Sequence, residues 1–156
     1  MGFNIAGLII KQKFDNKQEL ESFLENILTF SKDIDFEEAT SSFRDENTVD
    51  ILQTEHGTFV IMELGQIYDL TNNNSEVVQF MVSEVSDTYY FEKYSNGTLE
   101  RKYITSQGEV TENFGEGYLN EDDDVMDKVW EFVDEYLQNN FIKNMFDLKF
   151  KRYEVK

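Results

Sequence analysis

The chain has 156 residues and carries 32 Asp and Glu against 14 Lys and Arg, a formal net charge of −18, with no cysteine and one histidine. The absent cysteines exclude disulfides, thiolate catalysis and Cys-based zinc or iron–sulfur sites, and the lone His56 excludes any multi-histidine metal site. An anionic field of this size repels nucleic acid and anionic lipid and draws cationic partners inward.

The length suits one domain spanning residues 1–156, and a chain of this size buries roughly 68–70% of its unfolded surface without needing a metal or disulfide. Its 40% hydrophobic content, with 14 Phe and 8 Tyr, supplies the core. No stretch reaches the roughly 20 apolar residues of a membrane span. The apolar run Met1–Ile10 has no basic segment before it and is interrupted by Asn4. Closed by Lys11-Gln12-Lys13, it reads as a buried strand rather than a signal peptide. Gly2 lacks the Ser or Thr at position 6 that myristoylation wants, since that residue is Ala6. The expected location is cytoplasmic, with no membrane association.

In chain order, Asn16–Leu28 is predicted as a helix. Leu20, Phe23, Leu24, Ile27 and Leu28 share one face, and Asn16 with Glu19 resembles a capping box. Within Ser31–Phe43, Ile34, Phe36 and Ala39 suit a strand followed by a short helix or turn. Val49–Gln53 and Thr58–Met62 read as strands around Glu55-His56-Gly57, with Gly57 expected to supply a positive φ. Gly65–Leu70 reads as a further strand, and Thr71–Asn74 as a polar loop. Ser75 is placed as the N-cap of a third, buried helix carrying Val77, Val78, Phe80, Met81, Val82 and Val85.

Asn96-Gly97 between aromatic-rich runs specifies a type I′ hairpin. Simple two-residue-loop register sets Tyr94 against Leu99, Lys93 against Glu100, Glu92 against Arg101 and Tyr90 against Tyr103. Gln107-Gly108 marks the next turn, leading into Val110–Phe114 and completing a three-stranded meander. Asn120–Asn140 is predicted as the second main helix. Glu121–Asp124 fill its first turn, and its apolar stripe is Val125, Val129, Val133, Tyr136 and Leu137, flanked by Trp130 and Phe132. Leu148–Val155 alternates as a closing strand. The expected fold is α+β: a mostly antiparallel sheet of five to seven strands with two main amphipathic helices and the third buried one.

Few constellations suggest chemistry. His56 sits at a turn tip, and no G-x-S-x-G elbow accompanies it. In an EF-hand frame beginning at Asn120, Val125 stands where the sharp turn needs glycine, so Asp122-Asp123-Asp124 reads better as a helix N-terminus. Gly115-Glu116-Gly117 has neither the spacing nor the context of a dinucleotide loop. Lys149-Phe150-Lys151-Arg152-Tyr153 interleaves cations and aromatics, which strand alternation with internal charge pairing explains. Tyr89, Tyr90, Phe91, Tyr94 and Tyr103 exceed what one sheet face hides, so part of the set is expected on the other face.

These readings point to a non-enzymatic acidic protein without metal or cofactor that binds a cationic protein partner and no nucleic acid. In a bacterial setting, toxin-neutralising immunity proteins and nucleic-acid mimics have this character. A small-ligand binder, a carboxylate-based enzyme domain or an accessory role is the alternative, and the oligomeric state is left open. From Asp33 to Glu92, 14 acids face one base, Arg44. The partner-binding acids are therefore expected to be Asp33, Asp35, Glu37, Glu38, Asp45, Glu46 and Asp50.

Overall fold

Period-two alternation governs most of this chain. The computed structural model describes residues 3–65 and 67–156. Its strands are β1 (Asn4–Ile10), β2 (Leu28–Asp35), β3 (Thr48–Gln53), β4 (Thr58–Met62), β5 (Glu76–Ser83), β6 (Thr88–Ser95), β7 (Thr98–Ser106), β8 (Glu109–Gly115) and β9 (Lys149–Val155). They form one antiparallel sheet in the order β2-β9-β3-β4-β1-β5-β6-β7-β8. The helices are α1 (Lys17–Leu24), α2 (Phe36–Ala39), α3 (Val125–Leu137) and α4 (Phe141–Asn144), the last running into a 3₁₀ turn at Met145–Asp147.

Two cores lie on opposite faces of the sheet. On one, Val129, Trp130, Val133 and Leu137 of α3 pack over Ile5, Ile9, Phe59, Ile61, Val78 and Phe80. On the other, Leu20 and Leu24 of α1, with Tyr68 and Leu70 of the β4–β5 loop, cover Leu8, Ile10, Val60 and Val77. Strands buried on both faces read as continuous apolar runs, because alternation carries no polar side to reveal.

That explains the main departure from expectation. Residues 76–83 form β5, not a helix, and the sheet has nine strands rather than five to seven. Val77 and Val78 are both fully buried, one in each core, and the β-branched content favours the pleated form. Gly65 and residues 67–70 are not a strand, and Gln66 lies outside the described residues. Instead, Gln79 holds this segment, accepting from Tyr68 N and donating to Tyr68 O at 2.8 and 3.2 Å.

Both long helices are shorter than their periodicity suggested. Asn16 caps α1, its side chain accepting from Glu19 N at 3.0 Å, but the helix stops at Glu25, a left-handed C-cap with φ 55°. Leu28 is buried as the first residue of β2, while Ile27 is exposed. α3 begins at Val125 with Asp124 as its N-cap, so Glu121–Asp123 precede the helix. Its stripe is buried as expected. The strand followed by a short helix within residues 31–43, the strands β1, β3 and β4, and the β8 strand all form. The C-terminal strand does not close an edge: β9 inserts between β2 and β3.

Two glycines act differently from one another. Gly57 is not among the residues with positive φ. A Cβ there would meet the Tyr136 carbonyl at 2.6 Å, so this glycine serves a close approach of the β3–β4 turn to the end of α3. Asn96 and Gly97, at φ 50° and 81°, make the expected type I′ turn. A Cβ at Gly97 would also strike the Thr71 carbonyl. Gly97→Val is therefore expected to destabilise the protein by roughly 2 kcal/mol or more, combining the φ penalty with overpacking. Urea unfolding measures this, and a midpoint equal to wild type contradicts it.

Candidate cation-binding cleft

The seven acids selected from sequence do not converge on one surface. Asp50 is fully buried, and its carboxylate receives Arg152 Nε at 2.8 Å and Arg44 Nη2 at 2.6 Å. Asp45 and Glu38 also reach the buried Arg152, at 3.1 and 3.5 Å, and Glu38 pairs with Lys32 at 3.2 Å. The hydrogen bonds that Arg152 donates to Asp50 hold its pKa above the usual range, despite burial. Burial depresses Arg44 instead, against the pull of Asp50. Asp35 caps α2, accepting from Glu38 N at 2.8 Å. Asp33 stands opposite Lys151, and Lys151 faces the α1 side, away from the Asp50 cluster. Glu37 and Glu46 are exposed. Arg44 is thus not the only offset in this region, since Arg152 arrives from the far end of the chain.

A different acidic site is built around β6, β7 and β8, and a bulge places it. Tyr94 pairs with Leu99 as the hairpin rule expects, but the register then shifts, so that Lys93 faces Arg101, Glu92 faces Lys102 and Phe91 faces Tyr103. Glu100 is the additional residue. The expected pairs Lys93–Glu100, Glu92–Arg101 and Tyr90–Tyr103 are therefore not directly opposed. Lys93 nevertheless donates to Glu100 at 2.9 Å and to Glu76 at 3.1 Å. Desolvation opposes the buried ammonium, but these hydrogen bonds and the nearby negative charge together outweigh it and raise its pKa, while Lys93 in turn lowers both carboxyls.

Arg101, also buried, has no carboxylate partner among the described residues. It donates to the carbonyls of Gly117, Phe114 and Leu119 at 3.0, 2.8 and 3.0 Å, and to Asn113 Oδ1 at 2.5 Å. One guanidinium thereby anchors the segment leaving β8. From Leu119 the chain continues through Asn120, whose N–H donates to Asp123 Oδ2 at 2.8 Å, to the Asp124 cap of α3.

The anchored segment stands beside the sheet and leaves a cleft of about 830 Å³. Asp87, Glu109, Glu121, Asp122, Asp123 and Asp124 line it, and no basic side chain does. Tyr89, Tyr103 and Thr105 contribute from the strands. Tyr103 is only 4% exposed, and its ring carries Arg101 at 5.1 Å. Burial raises its pKa, as do Glu121, Asp122 and Asp123, with Arg101 opposing them. Burial likewise raises Tyr89, helped by Glu84, Asp87 and Asp124. Neither phenol is disposed to ionise at neutral pH.

This arrangement offers carboxylate acceptors, a neutral phenol oxygen and aromatic surface, the groups that receive an ammonium or guanidinium. Among the described residues no group of three or more His, Asp or Glu is placed to hold a metal ion. Comparison with protein-family models, curated proteins and solved structures finds no match to this chain. Among the described residues, no helix is long and apolar enough to cross a membrane.

The cleft is hidden in the sequence because Glu121–Asp124 has the pattern of a first helical turn. The signal available was the acid-only stretch Tyr103–Asp127, which holds eight acids and no base. Of the aromatic set, Phe91 and Tyr103 are buried and Tyr89 joins them on the α3 side. Tyr94 lies on the opposite side, where burial and Glu92 push it up to about 12.

Arg101→Met leaves the three carbonyls without their donor. Hydrogen exchange across residues 116–124 is expected to accelerate, with a loss of roughly 2–4 kcal/mol in overall stability. Exchange in that segment indistinguishable from wild type contradicts the anchoring role.

Proposed function

We propose that this chain is a non-enzymatic acidic binding protein that captures a cationic segment of a basic protein partner in the cleft beside β7 and β8. The observation that carries this reading is a cleft lined by acidic residues from three parts of the chain, Asp87, Glu109 and Glu121–Asp124, with no basic residue and with the buried Tyr103 beside them. A Lys or Arg side chain entering it exchanges water for carboxylate and phenol oxygens and for the aromatic faces. The net charge of −18 steers such a partner from a distance, and the exposed acids Asp33, Glu37 and Glu46 contribute to that field. Neutralising a basic toxin by occlusion, as immunity proteins and nucleic-acid mimics do, is the biological form this reading favours.

A direct test uses a fluorescently labelled oligolysine peptide and anisotropy titrations at low and moderate salt. Neutralising the cleft with Asp87→Asn, Glu121→Gln and Asp122→Asn is expected to weaken binding by about tenfold or more, and to flatten its salt dependence. Glu37→Gln with Glu46→Gln, which leaves the cleft intact, is expected to change affinity by no more than about threefold. Equal losses in the two variants would reduce the cleft to one part of a diffuse anionic surface.

A further inference from the structure

β8 is the last strand of the sheet, paired only with β7, and all seven of its residues are exposed. Its outer backbone groups therefore have no strand partner among the described residues. Such an edge is a template for strand addition. The other edge differs. At β2, Lys17 Nζ donates to the Leu28 carbonyl at 3.0 Å, and Glu21 accepts from Leu28 N at 2.7 Å, so side chains from α1 already occupy part of it.

The free edge also borders the cleft. Gly108, Glu109 and Val110 form one wall, with Tyr103 and Thr105 of β7 beneath. Val110 and Asn113 pair with Thr105 and Tyr103, which sets their side chains on the cleft side of the sheet. A strand added outside β8 continues that face, because side chains alternate with a period of two residues. Every second side chain of the added strand then stands at the mouth of the cleft, within reach of Glu121–Asp124 for residues as long as lysine or arginine.

Resting on the reading of the cleft as a cation site, we infer that the partner segment is an extended strand with Lys or Arg at alternate positions, which pairs with the outer edge of β8 and inserts those side chains into the cleft. Charge selects this occupant over a second copy of the chain. β8 carries Glu109 and Glu112, and the bulge at Thr111 interrupts its ladder, so a second β8 would bring acid against acid along an irregular edge. The acids across the cleft, Glu121–Asp124, complement a basic strand.

The test compares two synthetic peptides of equal charge, by calorimetry and by backbone amide exchange on the full chain. One is Lys-Val-Lys-Val-Lys-Val-Lys. The other has the same sequence with every internal amide N-methylated, which keeps the ammonium groups and removes the donors a β ladder needs. The inference expects the unmodified peptide to bind about tenfold or more tightly than its methylated form, and to slow exchange within residues 109–115. Equal affinities without protection of β8 would overturn strand addition while leaving charge capture by the cleft standing. Binding of neither peptide would overturn both. Protection of β2 in place of β8 would overturn the assignment of the edge, as would a concentration-dependent dimer that the peptide dissociates.

Discussion

The bulge at Glu100 is the constraint on which the acidic half of the molecule depends. It slides the β6–β7 ladder by one residue and sets two buried cations, Lys93 and Arg101, directly across from each other. Like charges in that relation destabilise a ladder unless each finds its own counterpart. Lys93 finds Glu76 and Glu100, the latter being the bulged residue itself. Arg101 finds backbone carbonyls, and in satisfying them it fixes the path from β8 to α3. The position of Glu121–Asp124 against Tyr103 follows from that path. A hairpin without the bulge would pair Arg101 with Glu92, and the carbonyls of Phe114, Gly117 and Leu119 would lack this donor.

At the other end of the sheet the same logic has a different result. Asp50 lies fully buried between Arg44 and Arg152, with Asp45 and Glu38 at the outer side of Arg152. Breaking such a group by removing one partner costs about 3–5 kcal/mol, because the remaining charge stays buried without compensation. The cluster ties the C-terminal strand β9 to β3 and to the loop after α2, positions more than a hundred residues apart in the chain. Asp50 serves the fold and is closed to a partner, whereas Asp45 and Glu38 pair with Arg152 from the surface. The acids of this protein therefore fall into two settings, one paired internally and one lining the cleft, and local charge counts do not separate them.

What could be read from the sequence follows from the range of the interactions involved. The type I′ turn, the Asn16 cap, the α3 stripe and the short-loop strands are decided within a few residues, and they form where expected, whereas the first helix ends before Ile27 and Leu28. β5 was misread because Val77–Val82 is buried on both sheet faces, which erases the polar side that distinguishes a strand from a buried helix. The roles of Arg152 and Arg101 depend on residues brought together only by the fold. Arg152 lies 102 positions from Asp50, and Arg101 reaches carbonyls 13 to 18 positions away. For the same reason the cleft, which joins Asp87, Glu109 and residues 121–124, had no local signature beyond an absence of basic residues.

The proposed entry point for cationic ligands is the β8 side and not the acid-rich segment 33–50. Amide chemical-shift mapping of the ¹⁵N-labelled chain, titrated with an oligolysine peptide at moderate ionic strength, addresses it most directly. Saturable shifts are expected to concentrate in residues 87–89, 103–113 and 121–125, with residues 33–50 little changed. Shifts centred on residues 33–50, or small shifts spread evenly over every exposed acid, would contradict it.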